Sequence, residues 1–399
     1  MNMNHVPFAT TLMSIAAAFA APCANADAVT DWNRKSGDLI TEAKLGTPPA
    51  ARVMAIVQTA ALQAIEDAQQ RQASAEAALA AAHRVTLTRL LPAQQPAIDA
   101  AYQAALNSVA DGAARNKGIS AGEAAAQAVL VTRAEDGAST PESHRPYTTA
   151  GMYVPTAPMA VPQWSQRKPW LMASAAQFRP APPPALNSEQ WVRDFNEVKA
   201  LGGKAASTRR SAEQTEAARF WEYSLPAIYH GVVQSVAQQP QRDLAQNARL
   251  YAAVAQAMDD ALIAVFDAKY HYQFWRPATA IRNGDLDGND ATVRDAAWTP
   301  LIEAPMHPEY PSGHSILATS VATVLDAEVQ GGTMPVLATS SPTAKGTTRR
   351  WQRTDDFVRE VSDARVHGGI HFRSATNAAE AMGRQIGGLA VQQILRPAP

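Results

Sequence analysis

The residues best placed to do chemistry fall in three short stretches between Lys269 and His371, a span that also holds five of the nine histidines. The first, DAKYHYQFWRPATAIR, sets Lys269 and Arg276 seven residues apart. That is two helical turns, so in a continuous helix both cations point the same way. Pro277 predicts that this helix ends near Trp275. The second, MHPEYPSGHS, carries His307 and His314 around a proline-bracketed turn that enters an apolar helical pattern. Ser312 can cap that helix and Gly313 lets backbone approach a ligand. The first helical amides then point outward without partners, which is where an anion can sit. His314, in the first turn, can give or take a proton near neutral pH. The third, DARVHGGIHFRSATNAAEAMGRQIGG, closes one helix at Arg365, breaks at Gly368-Gly369 and opens another at His371. The break lets Arg365 and His371 turn toward one point.

Taken singly, each stretch has a plainer reading. Lys269 and Arg276 can lie along apolar surface at a helix end, the Ser312 helix start can satisfy itself, and His371 can be a buried ring bonded to backbone. Taken together, three cations, helix-start amides and two histidines compose a buried pocket for a tetrahedral oxyanion.

In this order the patterns Lys-x6-Arg-Pro, Pro-Ser-Gly-His and Arg-x5-His resemble the three signature motifs of the vanadium-dependent haloperoxidase and type 2 phosphatidic acid phosphatase superfamily. The phrases FWRPATAIR, HPEYPSGHS and GGIHFRSA resemble its bacterial haloperoxidase-like branch, as does VTDWNRKSGDLITEA with PPAARVMAIVQTAALQAI near the start. The resemblance implies an all-α helical-bundle domain. It implies vanadate as cofactor, with phosphate able to occupy the same site, and His371 as the vanadium ligand. By the same carry-over Lys269, Arg276 and Arg365 neutralise the oxygens, the Ser312 hydroxyl and Gly313 amide add hydrogen bonds, and His314 is the acid–base residue. His307 falls beside the halide, and a histidine there resembles the bromoperoxidase type, so bromide is favoured over chloride. Its plainer reading is a turn residue paired with Glu309.

Hydrogen peroxide and halide are then the partners. The alternative is a secreted acid phosphatase acting on a phosphate ester through a phosphohistidine on His371, because vanadate and phosphate share shape and charge. One departure stands out. The wider superfamily often places Asp four residues after the ligand histidine, and this chain has Ala375. A ligating histidine normally donates its other N–H to a carboxylate or carbonyl, and a backbone carbonyl is the expected substitute.

These residues need a scaffold, and the rest of the chain reads as helices. From Asp31 to about Gln127 the pattern is alanine-rich with three- and four-residue steps; Val53, Ile56, Val57, Ala60, Ala64 and Ile65 are one stripe, begun by Pro48 and Pro49. Between Pro141 and Pro184 ten prolines alternate with Tyr153, Trp164 and Trp170, which predicts an ordered strap over packed helices. Helical patterns resume at Ser188, with no alternating strand series. The expected layout is scaffold helices over 27–140, strap over 141–186 and the site-bearing helices over 187–399, all in one domain. DLDGND at Asp285 starts like a calcium loop but has Ala296 where the closing Glu belongs, so it reads as a solvated turn.

The 399 residues carry 35 basic and 36 acidic side chains for a formal charge of −1, with no run of five like charges. That excludes an electrostatic footprint for nucleic acid or an anionic membrane. Residues 1–26 read as an export signal: an apolar stretch from Thr10 to Ala21, then Ala24-Asn25-Ala26 before Asp27. Cys23, the one cysteine, leaves with it, so no thiolate chemistry is expected in the mature protein. No later apolar run reaches the length of a membrane span. A periplasmic or secreted protein is expected, with the alanine-rich helices available as an oligomer surface.

Overall fold

The computed structural model describes residues 27–146, 148–205 and 209–396; the expected export signal lies outside them. Five helices open the described chain: α1 (Ala28–Glu42), α2 (Thr47–Gln70), α3 (Ala75–Leu90), α4 (Gln95–Asn107) and α5 (Ala113–Thr132). Pro48 and Pro49 fall in the first turn of α2, where the missing N–H would have no partner anyway. Ala60, Ala64, Ala78, Ala82, Ala121 and Ala125 form a buried seam along which α2, α3 and α5 pack.

After the strap come α6 (Glu189–Leu201), α7 (Ala212–Phe220), α8 (Pro226–Ala237) and α9 (Leu244–Tyr272). Ser188 caps α6 by accepting from the Trp191 amide, and Asp243 with Gln246 forms a capping box on α9. From Asn247 to Tyr270 every residue of α9 is buried except Arg249 and Asp267. Such all-round burial makes it the central helix, packed on α2 and also on α11 (Gly313–Glu328) and α13 (Arg373–Ala390). The short α10 (Pro277–Arg282) and α12 (Thr354–His367) complete the helices. No helix among the described residues is long and apolar enough to cross a membrane.

Among the described residues the fold is all-α apart from one antiparallel hairpin, β1 (Leu337–Ser341) with β2 (Thr347–Trp351), which the sequence reading did not foresee. Ten residues of Thr- and Ser-rich strand, one edge exposed, are too short to set up a clear alternation. A second correction concerns α9. It stops at Tyr272, three residues before Trp275, because Gln273 turns left-handed at φ 50°. Lys269 and Arg276 therefore do not share a helix face, and Arg276 instead precedes the first turn of α10.

The strap is ordered and only briefly helical, a 3-10 turn at Pro162–Gln166. Arg167 is buried and bonds both carboxylate oxygens of Asp259, at 2.6 and 3.0 Å, and Asp136 at 2.8 Å. The amides of Trp170, Leu171 and Met172 all donate to Asp260. Adjacent carboxylates in the middle of α9 thus anchor the strap. Its other bonds reach the motif loops: Tyr153 N–H to the Gln273 carbonyl at 2.6 Å, Ala160 N–H to Met306 at 2.7 Å, and Tyr310 hydroxyl to Ala181 at 2.9 Å. The DLDGND turn is partly structural as well, since buried Asp287 accepts from the Trp191 indole and the Thr292 hydroxyl.

Candidate active site

Although α9 ends early, Lys269 and Arg276 still meet, because both reach the loop of residues 307–311. Lys269 is fully buried and its ammonium donates to the carbonyls of Pro308 (3.0 Å), Glu309 (2.8 Å) and Pro311 (2.5 Å). Arg276 donates to the carbonyls of His307, Pro308 and Ile370, to His307 Nδ1 at 2.9 Å, and lies 3.4 Å from His371 Nε2. These two cations hold the second and third motifs together.

Ser312 caps α11, receiving the Ser315 amide and hydroxyl on its Oγ. The Gly313 and His314 amides find no acceptor among the described residues, and beside Gly313 there is open space where a Cβ would be. On the far side, Arg365 at the end of α12 donates to the Trp221 carbonyl while its Nε stays buried and unpaired. His314 Nε2 is unpaired in the same way. Gly369 has φ +76° and packs on the backbone of Gly202, so the chain reverses between α12 and α13 in a space only glycine fits. That reversal brings His371 back beside Arg276.

His371 Nδ1 lies 2.8 Å from Glu309 Oε1, which also accepts the Phe372 amide at 2.9 Å. Both side chains are buried. This corrects two expectations. A carboxylate from the second motif, not a backbone carbonyl, stands in for the missing one at Ala375, and Glu309 pairs with His371 and not with His307. Behind the ring an aromatic cluster fixes the turn, with Trp191 and Phe372 centroids 4.9 Å apart and Phe274 against both. Each such buried ring contributes roughly 2–3 kcal/mol.

His307, Gly313, His314, Arg365 and His371 line a cavity of about 500 Å³, whose other walls include Pro48 and Pro49, Val161 of the strap, Leu262 and Phe266. Lys269, Arg276 and Ser312 are not among its lining residues. Burial lowers the Lys269 ammonium well below its ordinary value, with Arg276 adding to it, and holds Arg276 and Arg365 down to about 10. Burial likewise lowers His371, His307 and His314, with the neighbouring cations acting in the same sense. All three rings are neutral near pH 7, and His307 and His314 keep part of their surface open to the cavity. Glu309 goes the other way, burial pushing it up to about 8 against the pull of Arg276 and Lys269. The site is therefore a largely buried, electropositive enclosure with neutral imidazoles at its face, which favours a multiply charged oxyanion.

The family model for the VCPO second helical-bundle domain matches residues 249–398, a span containing Lys269, Arg276, His307, Glu309, Ser312, His314, Arg365 and His371. Vanadium chloroperoxidase of Curvularia inaequalis is 31% identical over 170 residues, 35% of this chain but only 28% of that protein. A bacterial vanadium-dependent iodoperoxidase structure superposes with a TM-score of 0.76 over 91% of this chain and 96% of its own, at 23% identity. A holo-type bacterial vanadium-dependent chloroperoxidase follows with 0.68 over 88% and 94%, at 18% identity. Residues 249–398 thus match the vanadium haloperoxidase helical-bundle family, and the chain as a whole shares the fold of the bacterial vanadium haloperoxidases.

Vanadate fits what these residues present. The buried Arg365 Nε, unpaired among the described residues, the free helix-start amides and the open space over Gly313 are donors and room suited to a tetrahedral oxyanion. Glu309 is the site residue that sequence reasoning missed. The signal was a carboxylate set between prolines within the second motif, in a chain with Ala375 where the superfamily often has Asp.

Proposed function

We propose that this chain is an exported, vanadate-dependent haloperoxidase that oxidises halide with hydrogen peroxide, bromide in preference to chloride. The observation that carries this reading is the buried cluster of Lys269, Arg276 and Arg365 around a neutral, buried His371 at the cavity wall. Vanadate, when bound, supplies a Lewis-acid centre that polarises peroxide without changing its own oxidation state. His371 would hold it through Nε2. Arg365 and the amides of Gly313 and His314 would bond its oxygens, while Lys269 and Arg276 add positive field through the loop they brace.

His314 is neutral and lines the cavity, and its Nε2 is unpaired among the described residues, so it can take a proton from entering hydrogen peroxide and return it to the departing oxygen. His307 Nδ1 lies between Arg276, a donor at 2.9 Å, and the Pro308 carbonyl, an acceptor at 3.1 Å, and the ring lines the cavity. The preference for bromide rests on the resemblance of a histidine at this position to the bromoperoxidase type.

The test is bromination of monochlorodimedone by the purified protein with hydrogen peroxide, with and without added orthovanadate, beside p-nitrophenyl phosphate hydrolysis. Vanadate-dependent bromination without hydrolysis is expected. Hydrolysis without bromination would overturn the reading in favour of an acid phosphatase, and faster chlorination than bromination would overturn the halide preference.

A further inference from the structure

Glu309 lies outside the roles so far assigned, and its contacts are specific. One oxygen receives two partners, the His371 ring at 2.8 Å and the Phe372 amide at 2.9 Å; the other is buried and bonds nothing among the described residues. Because Phe372 N–H can only donate, Oε1 is an acceptor there, and it remains one whether the carboxyl is ionised or carries a proton on Oε2. In either of these forms the ring nitrogen beside it is the donor, which puts the imidazole proton on Nδ1; a proton on Oε1 would reverse the bond and place the ring proton on Nε2.

The opposite edge of the ring gives the same answer independently. Arg276 can only donate, and its guanidinium lies 3.4 Å from His371 Nε2. A hydrogen at Nε2 would face a cationic donor; a lone pair is favoured. Two neighbours on opposite sides of one buried ring therefore select the same tautomer. The loop that carries Glu309 is itself held by Lys269, whose three bonds go to the carbonyls of residues 308, 309 and 311.

We propose that Glu309 is the positioning residue of His371, holding its proton on Nδ1 and its Nε2 lone pair toward the cavity in place of the carboxylate absent at Ala375. What His371 then binds rests on the function proposed above; which nitrogen carries the proton does not. A carboxylate supplied from a different motif, 62 residues away in the chain, makes the ligand edge of the ring depend on the closure of the 307–311 loop on α13.

The experiment uses the full chain labelled with 15N-histidine, with the His371 signals identified by their loss in His371→Gln. Long-range proton–nitrogen correlation reads the tautomer, and calorimetric titration with orthovanadate reads affinity. Wild-type His371 is expected in the Nδ1–H form, and a predominantly Nε2–H ring in the wild type would overturn the proposal without any variant. Glu309→Leu removes the acceptor: the Nδ1–H form should lose its dominance and orthovanadate affinity should fall about 10- to 100-fold. Glu309→Gln keeps an acceptor oxygen for His371 and Phe372, so it should retain the Nδ1–H form, a rescue that a purely space-filling role would not require. Unchanged tautomer and affinity in Glu309→Leu would refute the proposal. Wild-type protein that shows the Nδ1–H ring but binds no orthovanadate would sink the haloperoxidase reading and leave the positioning role standing.

Discussion

His371 and His314 are both neutral, buried-edge imidazoles, yet their surroundings give them different tasks. His371 has one nitrogen bonded to Glu309 and the other beside Arg276, whereas His314 Nε2 has no partner. A His371→Ala variant is therefore expected to lose orthovanadate binding in a calorimetric titration. His314→Ala should still bind it but lose turnover by about 100-fold or more, the usual scale of a general acid–base contribution. Equal binding by His371→Ala and wild type would show that the ligand has been misassigned. At this scale much was legible, because Ser312, Gly313, His314, Arg365 and His371 each belong to a short local pattern. Glu309 was not, although it sits inside one of those patterns, because its partner comes from the next motif and no spacing within the chain encodes that meeting.

Among the elements, the turns decide where these side chains point. Gly369 at φ +76° lies against the Gly202 backbone, so Gly369→Ala forces both a left-handed alanine and a steric clash. A loss of about 2–4 kcal/mol in urea unfolding is expected. Gly313 meets nothing within reach of an added Cβ, so Gly313→Ala should unfold at the same urea concentration as wild type while its methyl intrudes on the cavity and weakens orthovanadate binding. A large stability loss in Gly313→Ala would mean that this helix start is packed rather than open. Helix starts and stops were readable from Ser188, Ser312 and the Gly-Gly break, since caps act over three or four residues. The end of α9 and the β1–β2 hairpin were not, because a left-handed Gln273 and a strand pair of five residues each are fixed by contacts with other elements.

For the whole molecule, the strap and the central helix depend on buried charge. Replacing Arg167 by Met leaves Asp259 and Asp136 facing each other without their shared cation, and about 3–5 kcal/mol of stability should be lost. A loss below about 1 kcal/mol by urea unfolding would show the strap to be held by its backbone bonds instead. The core also sets an acid limit. Burial lowers His83 to about 4 and His230 to about 3, the Leu79 carbonyl offsetting a little of it for His83. Between their ordinary value and those values the unfolded chain takes up protons that the folded chain refuses, so stability falls as pH falls. For His83 the full loss is about 3 kcal/mol, of which about 2 is gone by pH 5. His83→Gln should accordingly lose about 2 kcal/mol less than wild type when urea unfolding is compared at pH 7.5 and pH 5. An identical pH slope in the two proteins would remove His83 from the account.

The sequence by itself determined the helical class, the alanine seams, the ordered strap and most of the oxyanion enclosure, because helix periodicity, capping and proline restriction are local and the motif residues declare their chemistry by type. Only the tertiary structure decided that Lys269 and Arg276 meet through a loop and not along a helix, that Asp259 and Asp260 tie down the strap, and that Glu309 holds His371. Each of those is a pairing of buried polar groups from distant parts of the chain. Burial obliges such groups to find partners, but which partner each finds depends on how the helices pack.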